Sequence, residues 1–298
     1  MEIKDIDVKS VMTRSNLPVS DFSVNTYIGC EHACKYCYAS FMKRFTNHPE
    51  PWGEFVDIKH WPDIKNTSKY AGKEAFFGSA TDCYQPCEKE YKRTRKLLEE
   101  LKGSGIRLSI ATKSDLVLRD LDLIRTFPKA RVSFSINTLD EEFKDEMDAA
   151  VSIKRRLAAM KEIYDAGIET TCFISPIFPG ITDPIEIIEA AKDRCNLVWL
   201  ENLNLRGDYR VRILDWIHEN HPELDSLYKE IYSIKSRQYW IDLDDRIRAY
   251  TAKENMLYLR DDDGHRADFG KPPVVVNYFY HEEVKKSAKK GKAKNKFH

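Results

Sequence analysis

The chain has 298 residues, with 48 Lys and Arg against 48 Asp and Glu and 42% hydrophobic residues. That length suits one large α/β domain or two small ones; there is no apolar run of membrane-spanning length and no net field to attract nucleic acid. The start MEIKDIDVKS has no apolar secretion segment, so a cytoplasmic protein is expected, and seven cysteines there point to metal ligation or free thiols rather than disulfides.

Residues 1–20 read as an N-terminal segment. From about Asp21 to Leu205, β-type runs alternate with amphipathic helical runs. The strand candidates in chain order are FSVNTYI, AFFGSA, RLSIATK, RVSFSIN, ETTCFIS and NLVWLENL. Between them lie helical patterns such as EKEYKRTRKLLEEL and SIKRRLAAMKEIYDAG, the second closed by Gly167 as a C-terminal cap. Six strand-then-helix units in series imply a parallel sheet. They are too few for an eight-stranded barrel, so an open, partial (β/α)6 barrel is expected. Residues 41–74, rich in Trp, Pro and His, read as an irregular insertion within this 21–205 core. Residues 206–280 read as a helical extension with a late strand in PPVVVNYFY. Residues 281–298 are expected to be disordered, because KKSAKKGKAKNKFH has seven lysines and no acid.

The densest chemistry is GCEHACKYCYAS, which places Cys30, Cys34 and Cys37 directly after the first strand candidate. In parallel α/β folds the loops leaving strand C-termini form the functional end. A structural zinc site normally takes four protein ligands, and no second Cys-x2-Cys pair is present. Three thiolates instead leave one iron of a 4Fe–4S cluster without a protein ligand, open to substrate. The alternative is a non-catalytic zinc- or cluster-binding protein, its zinc completed by His32, His48 or Cys83.

Cys-x3-Cys-x2-Cys with Tyr36 before the last cysteine resembles the signature of radical S-adenosylmethionine (SAM) enzymes. Together with TDCYQPCEKEYKRTRKLLE, IATKSDLVLRDLDLI, SFSINTLD and GIETTCFISPIFPGITD, it resembles the spore photoproduct lyase-related branch over roughly residues 20–205. The resemblance implies the partial barrel of that superfamily, a 4Fe–4S cluster on Cys30, Cys34 and Cys37, and SAM chelated to the open iron. It also implies an external electron donor such as flavodoxin or ferredoxin. Reductive cleavage of SAM would give a 5′-deoxyadenosyl radical that takes hydrogen from the substrate. The cofactors carry the difficult chemistry, and the protein supplies position and exclusion of water.

SAM-binding groups are expected at the strand ends. FGSATD offers Gly78, Ser79, Ala80 and Thr81 to the methionyl end, and ATKS offers Lys113 to the SAM carboxylate. Alternation in RVSFSIN puts Ser133, Ser135 and Asn137 on one face, from which the last two would reach ribose or carboxylate. Pro176 to Gly180 would form a turn against the adenine, and Glu201 and Asn204 end the sixth strand. Tyr36 and Tyr38 match tyrosines of the lyase branch implicated in its radical relay.

The lyase pattern breaks at its hydrogen-donor cysteine, whose place is taken by Ser79. Thymine-dimer repair is therefore not the expected reaction, and Cys83, four residues on, is the candidate donor. Cys87, ahead of a helix starting at Glu88, would gain thiolate character from the helix N-terminus. Cys172 and Cys195 read as small buried hydrophobes. The expected substrate is a nucleobase or nucleic acid, aided by the lysine-rich tail. A peptide or protein is the alternative, although no cysteine follows Cys195 to build the auxiliary cluster that such enzymes often carry.

Overall fold

The computed structural model describes residues 1–16, 20–260 and 275–279. The lysine-rich end lies outside these residues. Twelve strands are described: β1 (Glu2–Asp7), β2 (Met12–Arg14), β3 (Phe22–Val24), β4 (Tyr27–Ile28), β5 (Phe55–His60), β6 (Glu74–Phe77), β7 (Arg107–Thr112), β8 (Ala130–Ser135), β9 (Glu169–Ile177), β10 (Leu197–Asn202), β11 (Leu257–Arg260) and β12 (Val275–Phe279). The main sheet runs β11-β12-β10-β9-β8-β7-β6-β3-β2 and is parallel except where β2 meets β3.

The six expected strands are therefore neighbours in sequence order, as a partial barrel requires. β6 to β10 are each followed by helical structure, which covers the apolar face of the strands. Leu108, Ile110, Val132, Phe134 and Ile136 are buried in the main core with Leu97, Leu98, Met160, Ile163 and Ile188 from the helices. A fully buried side chain of this size stabilises by about 1.5–3 kcal/mol, so this face fixes the register of the whole sheet. The alternate residues Ser109, Ala111 and Ser133 are small and only half-buried, which leaves the inner face open.

The helix Ile153–Asp165 is capped by Ser152, whose Oγ accepts the Arg155 N–H at 3.3 Å, and Gly167 follows at φ +79°. The helix expected across residues 88–101 divides at Lys92, which takes φ +50°. Glu88 causes the division to hold: its carboxylate accepts the N–H groups of Thr94 and Arg95 at 2.9 and 3.2 Å, capping Arg93–Leu101. The helices Tyr209–Asn220, Asp225–Lys229 and Gln238–Lys253 follow β10.

Two expectations need correction. FSVNTYI is not one strand: β3 enters the main sheet, while β4 turns away to pair antiparallel with β5. The 41–74 insertion is not wholly irregular either. Its β5, with Phe55, Val56 and Ile58 fully buried, joins β1 and β4 in a three-stranded sheet of its own. No described helix is long and apolar enough to cross a membrane.

Candidate functional site: a cysteine loop at the sheet's open end

Residues 29–37 form a loop pinned from three directions. The segment after β6 laces its start: Thr81 Oγ1 donates to Gly29 O, the Glu31 N–H donates to Gln85 Oε1 at 2.8 Å, and His32 Nε2 meets Asp82 Oδ2 at 2.9 Å. Residues 147–149 hold the other side. The Lys35 N–H donates to Met147 O at 2.9 Å, the Ala149 N–H to His32 O at 2.8 Å, and Tyr36 Oη to Asp148 Oδ2 at 3.0 Å.

The insertion supplies the third wall. Gly29 has φ +89°, and a Cβ there would lie 2.1 Å from Phe55 O; Gly53 has φ +102°, and its Cβ would lie 2.8 Å from that of Ala33. Only glycine permits these two close approaches. They set Trp52 beside Cys37. Its buried Nε1–H lacks a formed hydrogen bond and acts on the Cys37 sulfur, as do the Ala39 and Ser40 N–H groups.

The seven cysteines are all free. Burial pushes the Cys30, Cys34 and Cys37 thiols above the ordinary cysteine range, Cys34 to about 12. Lys113 opposes the shift at Cys34 and Cys37 by favouring their thiolates. Metal must displace these protons on binding. Among the described residues no three His, Cys, Asp or Glu side chains converge on the point a single ion would take. A 4Fe–4S cube needs no such convergence, because each thiolate binds its own iron.

Several of the expected groups lie at or just past the C-terminal ends of β6, β7, β8 and β10. Lys113 ends β7, with Nζ 5.6 Å from the Tyr36 ring centroid. Its backbone N–H donates to Asp82 Oδ2 at 2.7 Å, and Asp82 also accepts from Thr112 Oγ1 and the Tyr84 N–H. Burial works against ionisation of Asp82, but His32 and these donors outweigh it and hold the carboxyl below its usual range. Asn137, just past β8, is buried with Nδ2 unpartnered. Ser135 lies beside it, its carbonyl taken by Arg156 Nη1 at 3.1 Å. Arg156 is fully buried and also binds Asp148 at 2.7 Å, which steadies the Tyr36 partner. Ser79 and Ala80 are clamped by Asn25, which donates to Ser79 Oγ and accepts the Ala80 N–H, both at 2.9 Å. Tyr38 Oη donates to Ser79 O. Glu201 accepts from Ser175 Oγ and Trp199 Nε1, each at 3.1 Å, and its charge reaches Tyr38. Asn204 accepts from Arg206 Nε at 2.7 Å.

Other expected residues fall elsewhere. Cys83, the expected hydrogen donor, is fully buried in the main core. Cys87 lies in a small cluster with Tyr27, Val56 and Ile58, close enough to Cys30 to feel its charge. The expected thiolate character of Cys87 fails, because burial and then Glu31 push its thiol upward, and a four-residue helix cannot offset them. Pro176 lies inside β9 rather than in the turn, which is closed by Thr182 and Ile181 N–H groups donating to Phe178 O. His48 is unsuited to complete a zinc site, since its two ring nitrogens face Asp57 at 2.8 Å and Glu50 at 2.9 Å. Cys172 and Cys195 are buried, as expected. Sequence reasoning missed Trp52, Asp82, Asp148 and Arg156. Asp82 was within reach, since it ends the quoted SATD run, whereas Asp148 and Arg156 carry no local signal.

The donor set fits a cluster with SAM: three free thiols on one loop, Cys30 buried and Cys34 and Cys37 partly exposed, a lysine over the loop, and N–H groups at Trp52 and Asn137 with no hydrogen bond formed. The Radical SAM superfamily matches residues 24–193. An uncharacterised protein of Methanocaldococcus jannaschii is 36% identical over 225 residues, 75% of this chain and 85% of that protein. The Radical SAM Nalpha-GlyT isomerase of Pseudomonas phage M6 is 23% identical over 51% of this chain and 32% of its own. In fold the chain is similar to a spore photoproduct lyase mutant with bound AdoMet and dinucleoside spore photoproduct. The TM-score is 0.54 and the identity 18%, over 74% of this chain and 66% of the lyase chain. With its cysteine loop, its parallel sheet and this match, the chain belongs to the radical SAM superfamily, whose cofactors are a 4Fe–4S cluster and SAM.

Proposed function

We propose that this radical SAM enzyme takes hydrogen from a nucleobase or nucleic acid, with its electron supplied by a flavodoxin or ferredoxin. The observation that carries the substrate class is the charge of the segment after the cysteines. Residues 35–49 hold Lys35, Lys43 and Arg44 and no Asp or Glu, which suits a phosphate backbone in a chain of zero net charge. One solved neighbour lends support: the lyase of similar fold holds a dinucleoside.

When bound, the cluster and SAM supply hydrogen-atom abstraction through reductive cleavage of SAM. Cys30, Cys34 and Cys37 would hold the cluster, Cys30 from a buried position and Cys34 and Cys37 from the partly exposed face of the loop. Lys113 binds the SAM carboxylate, fixed by the Asp82 grip on its backbone. Ser135 and Asn137 orient the nucleoside half of SAM from the inner face of β8. Tyr36 is held by Asp148, while Tyr38, at the exposed edge, replaces Cys83 as the candidate for hydrogen return.

The test is deuterium transfer into 5′-deoxyadenosine from deuterated oligonucleotides, with anaerobically reconstituted protein. Transfer that changes product pattern in Tyr38→Phe supports the assignment. Transfer from peptides and none from any nucleoside or oligonucleotide would sink it and favour the peptide class.

A further inference from the structure

Among the described residues, every exposed Phe, Tyr or Trp comes from one segment, 38–45, which begins at the residue after Cys37. Tyr38 is 60% exposed, Phe41 43% and Phe45 66%. The other Phe, Tyr and Trp side chains given a burial in the described residues are wholly or partly covered. Exposing large rings is unfavourable, and a cluster of them marks a docking surface. Phe41 and Phe45 stand edge to face at 6.5 Å, and the Arg44 guanidinium lies 5.4 Å from one ring centroid and 4.6 Å from the other. The segment is anchored at the mouth of the site by the Tyr38–Ser79 bond, and its neighbour Lys43 donates to Pro49 O at 3.0 Å, which folds it back onto the insertion.

We propose that Phe41, Arg44 and Phe45 form a stacking platform for an unpaired base of single-stranded nucleic acid, at the rim of the cysteine loop. This rests on the nucleic-acid assignment above and names the surface that would serve it. Charge selects the occupant. A second copy of this chain or an apolar peptide would need no cation on the platform, whereas a phosphate backbone finds Arg44 and Lys43 beside the rings. Aromatic faces with adjacent cations are how single strands are held without sequence preference. A stacked base here places its neighbour along the strand toward Tyr38 and Ser79.

The experiment is fluorescence anisotropy with the reconstituted full chain. The probes are a labelled oligothymidylate of about ten nucleotides, within single-strand site sizes, and an abasic strand of equal length. Wild type should favour the base-bearing strand. Phe41→Ala with Phe45→Ala should lose about tenfold of that affinity and leave abasic binding unchanged. Phe45→Trp should keep the preference. Arg44→Gln should flatten the salt slope by about 0.7, the value for one phosphate on a single strand. Iron content and SAM affinity equal to wild type establish that the double variant is folded. The lysine-rich end is present in every variant and cancels. Equal binding of both strands by wild type, or an unchanged preference in the double variant, overturns the platform and leaves the nucleic-acid assignment standing. No binding of either strand together with no deuterium transfer overturns both. Ring-dependent self-association or peptide binding without base preference also overturns the platform.

Discussion

Lys113 and Trp52 both act on Cys37, by different means. Lys113 brings a full charge over Tyr36, and its effect reaches Cys34 and Cys37. Lys113→Ala should weaken SAM binding by about 1.5–3 kcal/mol, the worth of a hydrogen bond to a charged group, with iron content unchanged. Calorimetric titration of the reconstituted protein reads this directly, and unaltered affinity would leave Lys113 an ordinary strand-end lysine. Trp52 offers a neutral N–H to Cys37. Donors to cluster sulfurs favour the reduced, more negative state and raise the reduction potential. Trp52→Phe keeps the ring and removes the donor. The cluster midpoint should fall by about 40 mV, from ~1 kcal/mol for one hydrogen bond at 59 mV per tenfold for one electron. A midpoint equal to wild type in a redox titration followed by EPR would show that the N–H does not reach the sulfur.

At the scale of elements, the insertion is the part that sequence reading understood least and the site uses most. Strand alternation made β6 to β10 legible, because each buries one face against helices and the other carries small or polar residues. The cysteine spacing made the loop legible, and the lysine and serines at strand ends followed from their positions. What stayed hidden was partnership across distance. FVDIKH reads as a strand only once Tyr27 and Glu2–Asp7 are known to flank it, and Arg156 reads as an exposed helix lysine or arginine would until Asp148 is placed beside it. The insertion is held by His48, stacked on Phe55 at 3.9 Å between Asp57 and Glu50. Burial disfavours the imidazolium, but the two carboxylates outweigh both burial and the opposing charge of Lys4, so His48 titrates above its ordinary 6.5. Its folded value is raised, so its contribution to stability is complete below pH 6.5 and is lost as pH rises through the folded value. Wild type should therefore exceed His48→Gln in anaerobic thermal unfolding at pH 6, and the gap should narrow by pH 9. A gap constant with pH would mean that His48 acts by packing on Phe55 alone.

At the scale of the whole molecule, the cluster loop is a junction rather than an appendage. Residues 29–37 touch the segment after β6, the residues following the helix Glu141–Met147, and the insertion's own sheet. Tyr36 also packs with Phe143, Phe178, Leu203 and Trp216, so the helices after β10 close on the same loop. A cluster bound by three cysteines of one loop ties these units together, because binding energy gained only in the folded loop is folding energy. Chelating the iron should therefore loosen the molecule unevenly. Hydrogen exchange should rise in residues 26–60, 81–88 and 141–150, where backbone and side-chain bonds depend on the loop. It should change little in β8 and β9, whose apolar faces are buried in the main core without the loop. SAM added to the holoprotein should slow exchange at the ends of β7 and β8, near Lys113 and Asn137, and have no such effect once the iron is removed. A uniform rise across the sheet after chelation would mean that the cluster supports the fold globally. No rise at all would mean that the three walls hold the loop without it.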